Sequence, residues 1–186
     1  MDRSSDSLRD LLLGGDRRSI GRSGRALELV RSRPERVSEV AALARDEDPL
    51  VSQRALDLLE KVAHDHAEWI APHKRLFIGN LADSDRWEVR LQIVRALPFF
   101  RWKTAERSRV LAILRRDVRH PQKFVRAWAL DSLAILAGKD PTLRPIVLRH
   151  LRSFESSGSK ALIARARHVR RRLAEVSGAG TRRRRS

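Results

Sequence analysis

Hydrophobic positions recur with the spacing of an α-helix in three segments of this chain. The segments are LVSQRALDLLEKVA (50–63), EVRLQIVRALPFF (88–100) and FVRAWALDSLAILA (124–137). They align on Val51, Val89 and Val125, and eight residues further on Leu59, Leu97 and Leu133. Apolar residues at i, i+4, i+5 and i+8 lie on one helical face. The aligned valines are 38 and 36 residues apart, so the pattern predicts an array of helical repeats.

A second set of helices is predicted between these segments. The predicted ranges are 34–45, 69–82, 104–118 and 142–154, and a last helix is predicted over 160–176. Pro34, Pro98 and Pro141 fall at or near the junctions, where a residue without an N–H group is tolerated or a helix must end. Pro72 is predicted in the first turn of its helix. Residues 1–18 are predicted to be a flexible segment and residues 177–186, which contain TRRRR, a disordered basic tail.

The turn-and-helix pattern resembles that of HEAT-repeat proteins, most clearly in DSDRWEVRLQIVRAL and HPQKFVRAWALDSLA. The resemblance covers about residues 20–176 and implies an all-α fold. The implied architecture is a right-handed α-solenoid of about four antiparallel helix pairs with a C-terminal capping helix, in one domain over 19–176. In that family an arginine at the place of Arg90 and Arg126 often bonds to a turn carboxylate. The implied partners are Asp46 or Asp48 for Arg90, and Asp83 or Asp85 for Arg126.

Charge is distributed unevenly along the 186 residues. Residues 1–100 carry no net charge, and residues 101–186 carry the whole +17. This asymmetry indicates a polyanion or an acidic partner, although an arginine-rich solvated surface is an alternative explanation. The chain has no cysteine, its first residues lack the apolar run of a signal peptide, and no apolar run approaches the length of a membrane span. We therefore expect a cytoplasmic protein without membrane association.

The stretch PFFRWK (98–103) concentrates three aromatic residues and two cations at the end of a predicted helix. One interpretation is a hairpin elbow in which at least one phenylalanine is buried. The alternative is a contact for a nucleic acid or a protein, made by an exposed Trp102 between Arg101 and Lys103. Both interpretations remain open at this point, and these last three residues are candidate binding residues.

A candidate basic face lies on the later second helices. Over 104–118 the predicted buried stripe is Val110, Leu111, Leu114 and Val118, and over 142–154 it is Ile146, Val147, Leu148 and Leu151. Arg109 and Arg116 then share one edge of the first helix, and Arg149 and Arg152 point outward from the second. We predict that these four arginines form neighbouring rows on a binding surface.

The sequence offers little that predicts catalysis. It has no Gly-rich phosphate loop, no serine-centred nucleophile elbow and no His-Glu-x-x-His motif. In HDH (64–66) the two histidines are two residues apart and point to different faces of a helix, so no metal site is predicted. We predict no cofactor and no small-molecule substrate. Asp57 and Asp131 occupy equivalent repeat positions, which indicates a scaffold role.

Helical-repeat alkylpurine DNA glycosylases supply an enzymatic alternative. That resemblance implies a tryptophan, an aspartate one helical turn later and a nearby arginine. Among the four tryptophans only Trp102 has a carboxylate four residues later, Glu106, with Arg109 three residues beyond it. The favoured function is nevertheless a non-catalytic HEAT-like binding or scaffold module. Its expected partner is another protein, with a nucleic acid as the alternative.

Overall fold

The computed structural model describes residues 7–14 and 22–182, with side chains as far as Glu175. The described residues form α-helices and 3₁₀ turns and contain no strand. The all-α repeat fold predicted from the sequence is therefore confirmed. The chain divides into two compact units, an N-terminal unit, Met1–Trp102, and a C-terminal unit, Lys103–Ser186. None of the described helices is long and apolar enough to cross a membrane.

The described residues of the N-terminal unit form six α-helices. They are α1 (Leu8–Leu12), α2 (Ser23–Ser32), α3 (Val37–Leu43), α4 (Pro49–Asp65), α5 (Ala67–Ile70) and α6 (Trp87–Ala96). Helix α4 lies at the centre and packs against the other five. It begins where the Asp48 side chain accepts hydrogen bonds from the Leu50 and Val51 N–H groups, at 2.7 and 3.4 Å, with Pro49 in the first turn.

The repeat alignment predicts the core correctly. The three aligned valines and the three aligned leucines are all at most 1% exposed. Burying each such side chain contributes about 1.5–3 kcal/mol. The structure also shows a further copy in α2, where RALELV (25–30) matches RALDLL (54–59) and Ser23, Ala26 and Val30 are buried. Helix α2 packs on α4, and α4 packs on α6, so successive helices of this type contact each other within the unit.

The single helix predicted over 69–82 is wrong. The chain forms the short α5 and then 3₁₀ turns over Ala71–Phe77 and Asn80–Asp83. Helix α5 begins at Ala67, so Pro72 lies beyond its first turn. There the proline cannot donate the backbone hydrogen bond that an α-helix requires, and its ring clashes with the preceding turn. The tighter 3₁₀ turns accommodate it.

The flexible N-terminal segment predicted over 1–18 is corrected where the structure describes it. Residues 8–12 form α1, and Leu8, Leu11 and Leu12 are buried. Arg9 donates two hydrogen bonds to Asp46, at 2.8 and 3.0 Å, and these bonds hold the pKa of that carboxyl below its usual value. The buried Arg54 donates to the Leu12 and Gly14 carbonyls, at 2.7 and 2.6 Å. These long-range bonds attach α1 to the unit. Residues 1–6 and 15–18 lie outside the described residues.

The part of the C-terminal unit that the structure describes forms four α-helices: α7 (Thr104–Asp117), α8 (Lys123–Lys139), α9 (Arg144–Glu155) and α10 (Lys160–Arg182). Helix α8 packs against the other three, and a 3₁₀ turn over Pro141–Leu143 precedes α9. The tail was predicted over 177–186, but helix α10 continues to Arg182, and residues 183–186 lie outside the described residues. The implied bonds from Arg90 and Arg126 to turn carboxylates stay predictions. The Arg126 guanidinium lies 5.2 Å from the centroid of the Phe154 ring.

Candidate functional site

The aromatic elbow is a packed cluster. Phe100 is 5% exposed, and its ring centroid lies 5.1 Å from that of Phe77 and 5.5 Å from that of Trp102. The prediction that at least one phenylalanine of PFFRWK is buried is therefore confirmed. Phe99 is half-buried. Its ring centroid lies 4.9 Å from that of His64, and the two rings are in a T-shaped arrangement. Aromatic contacts of this geometry stabilise the elbow in addition to the free energy that comes from burying apolar area.

Trp102 is half-buried, in contrast to the exposed side chain that was predicted. Its indole N–H donates to the Leu97 carbonyl at 2.8 Å, which folds the ring back onto the preceding turn. The Lys74 ammonium lies 5.1 Å from the ring centroid and donates to the Arg101 carbonyl at 2.7 Å. Arg101 and Lys103 are exposed. A binding role for these three residues stays a prediction, and the indole N–H already has a structural partner.

The four arginines of the predicted basic face lie in two different environments. Arg149 and Arg152 are exposed on α9, as predicted. On α7, Arg116 donates to the buried Asp117 at 2.8 Å, and Arg109 is half-buried. The centre of the solvent face of α7 is occupied instead by Arg115, because the buried stripe is Val110, Ile113, Leu114 and Asp117. The spacing of these buried residues places Arg115 on the opposite side of the helix, so helical periodicity could have identified it from the sequence.

The predicted stripe of α9 is also corrected. Leu148 is 42% exposed, whereas His150 and Phe154 are buried. Residues 143, 147, 150, 151 and 154 follow the helical period, and Leu148 falls outside it. Burial lowers the pKa of His150, and nearby arginines, chiefly Arg119, lower it further. Leu148 therefore lies on the same exposed face as Arg149 and Arg152.

The carboxylates of the C-terminal unit are almost all bonded within the unit. Five of its six acidic residues accept hydrogen bonds that the structure describes, and Glu175 is the sixth. The pairs are Glu106 with the Lys103 N–H, Asp117 with Arg116, Asp131 with Arg165 and Arg172, Asp140 with Arg107, and Glu155 with Arg170. The bonds to Thr142 and Arg107 hold the pKa of Asp140 below its usual value.

Many cations of this unit are left without such a partner. Within the described residues, nine exposed side chains form no ion pair with a carboxylate: Lys103, Arg115, Arg119, Lys123, Arg149, Arg152, Lys160, Arg167 and Arg171. On α10, Arg167 and Arg171 are one turn apart on the solvent face, whereas Arg165 and Arg172 point to α8. The positive charge of the unit is therefore concentrated at its surface.

A cluster of charged and aromatic side chains that was not predicted from the sequence lies between α8 and α10. Asp131, 2% exposed, accepts from Arg165 at 3.3 Å and from Arg172 at 3.0 Å. The Arg165 guanidinium covers the Trp128 ring at 4.1 Å from its centroid. The glycosylase-like pair predicted from the sequence has its carboxylate four residues after the tryptophan, whereas Asp131 is three residues after Trp128. The arginines come from a helix more than 30 residues further along the chain, so only the fold brings them together.

The histidines of HDH have local partners. His64 Nδ1 lies 3.0 Å from the Asp65 carboxylate, and the His66 ring stacks on Trp69 at 3.8 Å between centroids. The described residues contain no group of three His, Cys, Asp or Glu side chains that could hold a metal ion.

The fold resembles that of solved helical repeat structures. No protein-family model and no curated protein sequence matches the chain. An engineered protein solved by a structural genomics consortium aligns with a TM-score of 0.61 and 16% identity, over 92% of this chain and 78% of that one. A designed armadillo repeat protein in complex with the peptide (KR)4 aligns with a TM-score of 0.57 and 14% identity, over 89% and 80%. These likenesses show the fold, a helical repeat solenoid.

Proposed function

We propose that the protein is a non-catalytic binding module of the helical repeat class, and that its C-terminal unit binds an acidic segment of a protein partner. The observation that carries this proposal is the imbalance of charge in that unit. Nine exposed cations have no carboxylate partner among its described residues, and five of its six carboxylates already accept hydrogen bonds. The surface therefore carries an excess of positive charge that attracts an external anionic group.

The exposed face of α9 favours a protein segment over a plain polyanion. Leu148, at 42% exposed, lies one turn before Arg152 and next to Arg149 on that face. An acidic segment with an apolar side chain would contact both the leucine and the guanidinium groups. A designed neighbour of the same fold binds a basic peptide. The C-terminal unit has the opposite charge requirement, so we propose an acidic ligand. Arg109 and Arg116 are proposed to act at the margin of this surface.

The proposal is tested with a fluorescein-labelled acidic peptide, (DEL)4, in a fluorescence anisotropy titration at low salt. Arg149→Glu/Arg152→Glu should weaken binding about tenfold, because two attractive contacts become repulsive. The matched control is Arg33→Glu/Arg45→Glu, which makes the same change of net charge at exposed positions of the N-terminal unit. Equal weakening by both variants would show that net charge alone governs binding and would contradict the proposal.

Two further measurements separate the alternatives. A chain that ends at Val176 should keep its affinity for the peptide. Loss of all binding in that chain, together with unchanged binding by the double Arg variant, would assign the effect to the basic tail. Duplex DNA of equal charge is the second comparison. For duplex DNA, log affinity should fall with log salt by about 0.9 per phosphate contact. Tight DNA binding without peptide binding would favour the nucleic-acid alternative.

A second candidate function is supported by the group at Trp128, Asp131 and Arg165. Its residue types match those that the resemblance to helical-repeat alkylpurine DNA glycosylases implies, with a spacing of three residues between the tryptophan and the aspartate. Both Asp131 oxygens accept from arginines, and Arg165 covers the face on which a base would stack. This function therefore requires Arg165 to move. Release of purines from methylated duplex DNA by the wild type, and not by Asp131→Asn, would replace the binding-module proposal.

A further inference from the structure

A cavity opens beside the aromatic elbow, entirely within the N-terminal unit. Its volume is 440 Å³, in the lower part of the range of about 300–1,000 Å³ that is typical of ligand pockets. Phe99 and Phe100 form one wall, and Ala67 and Ala71 form the other. The small alanine side chains leave the space, and the aromatic rings provide an apolar surface. We call this cavity the elbow pocket.

The walls of the elbow pocket are held in place by contacts outside it. Phe100 packs on Phe77 and Trp102, and Phe99 packs on His64. The hydrogen bond from Lys74 to the Arg101 carbonyl joins the two lining segments. The cavity is thus formed before any ligand arrives, which reduces the entropy that binding must overcome.

One carboxylate and two cations line the elbow pocket. The Glu68 side chain, 68% exposed, comes from α5, and the exposed Arg101 follows the 3₁₀ turn Leu97–Phe99. The second cation at the pocket, Lys74, already contacts a carbonyl and the Trp102 ring. An apolar ligand group with a positive neighbour on one side and a negative neighbour on the other is complementary to this arrangement.

We propose that the elbow pocket binds one large apolar side chain of a protein partner, in a segment with a basic residue that faces Glu68 and an acidic residue that faces Arg101. The inference rests on the proposed function as a protein-binding module. It adds a second contact site in the N-terminal unit, where residues 1–100 carry no net charge. The elbow of PFFRWK is then both a structural turn and the wall of a binding site.

Two labelled peptides of identical composition test the proposal: GKAFAEG and GEAFAKG, which differ only in the order of the charges. Anisotropy titrations with the full chain should show about a fivefold preference for one order, because two exposed charge pairs change from attraction to repulsion. Glu68→Lys/Arg101→Glu should reverse the preference. Ala71→Phe, at an exposed position that lines the cavity, should abolish binding of both peptides.

The matched control is Arg45→Glu/Glu47→Lys, a charge exchange at exposed positions before α4, at the opposite end of that helix from α5. It should leave the preference unchanged. The proposal is overturned if neither peptide binds the wild type, if Ala71→Phe binds as the wild type does, or if a Phe→Ala peptide binds equally well. Binding of free indole without binding of either peptide would also overturn it, in favour of a small-molecule site. Because Arg149→Glu/Arg152→Glu leaves the elbow pocket intact, failure of the acidic-peptide proposal is distinguishable from failure here.

Discussion

The buried carboxylate between α8 and α10 allows a sharp test of how the C-terminal unit is held together. Asp131 and Glu155 each accept two hydrogen bonds from arginine, but their burial differs. The side chain of Asp131 is 3% exposed, whereas that of Glu155 is 34% exposed. Asp131→Asn and Glu155→Gln remove the same charge with little change of shape. Comparison of the two variants therefore isolates the effect of burial.

Loss of one partner from a buried ion pair costs about 3–5 kcal/mol, because the remaining charge has no compensating group. The side chains of Arg165 and Arg172 are 24% and 31% exposed, so water can reach them in part. We therefore expect Asp131→Asn to lower the free energy of unfolding by about 3 kcal/mol, at the lower end of that range. Glu155→Gln should cost only about 0.2–1 kcal/mol, the usual contribution of an exposed pair.

The measurement is urea unfolding followed by far-UV circular dichroism. The triple variant Asp131→Asn/Arg165→Gln/Arg172→Gln is the accompanying control. It should be less destabilised than Asp131→Asn alone, because it leaves no unpaired guanidinium beside the buried site. If Asp131→Asn and Glu155→Gln agree within about 0.5 kcal/mol, burial does not strengthen this ion pair and the reasoning is wrong.

Two other predictions concern the capping of α4 and the buried histidine of α9. Asp48→Ala should destabilise the N-terminal unit by about 1 kcal/mol in urea unfolding, because the Leu50 and Val51 N–H groups lose their acceptor; no loss would contradict the capping role. The lowered pKa of His150 means that the unfolded chain binds the proton more readily. Stability from this group should therefore be fully present above pH 6.5, the usual pKa of histidine, and fall as the pH drops from there through the lowered pKa. His150→Leu should remove that part of the pH dependence, and an unchanged pH profile of the free energy of unfolding would contradict it.

The sequence by itself determined which residues form the core of the repeats. Val51, Val89 and Val125 could be identified as buried because the face that a helix buries follows from local spacing, and spacing is visible in one chain. The location of the net charge was also a property of the sequence. The helix predicted over 69–82 failed at Pro72. Helix α5 begins at Ala67, two residues earlier than predicted, so the proline lies beyond the first turn, where an α-helix does not accommodate it.

Only the tertiary structure decided which charges remain available for a partner. Asp131 meets Arg165 and Arg172, and Arg9 meets Asp46, across 34 to 41 residues of chain. Such pairs depend on which helix faces come together, and helical periodicity describes each helix alone. The elbow pocket has the same origin, since two alanines of α5 and the turn that follows it face the rings of Phe99 and Phe100. A cavity is a property of the space between elements, so no pattern within one element can predict it.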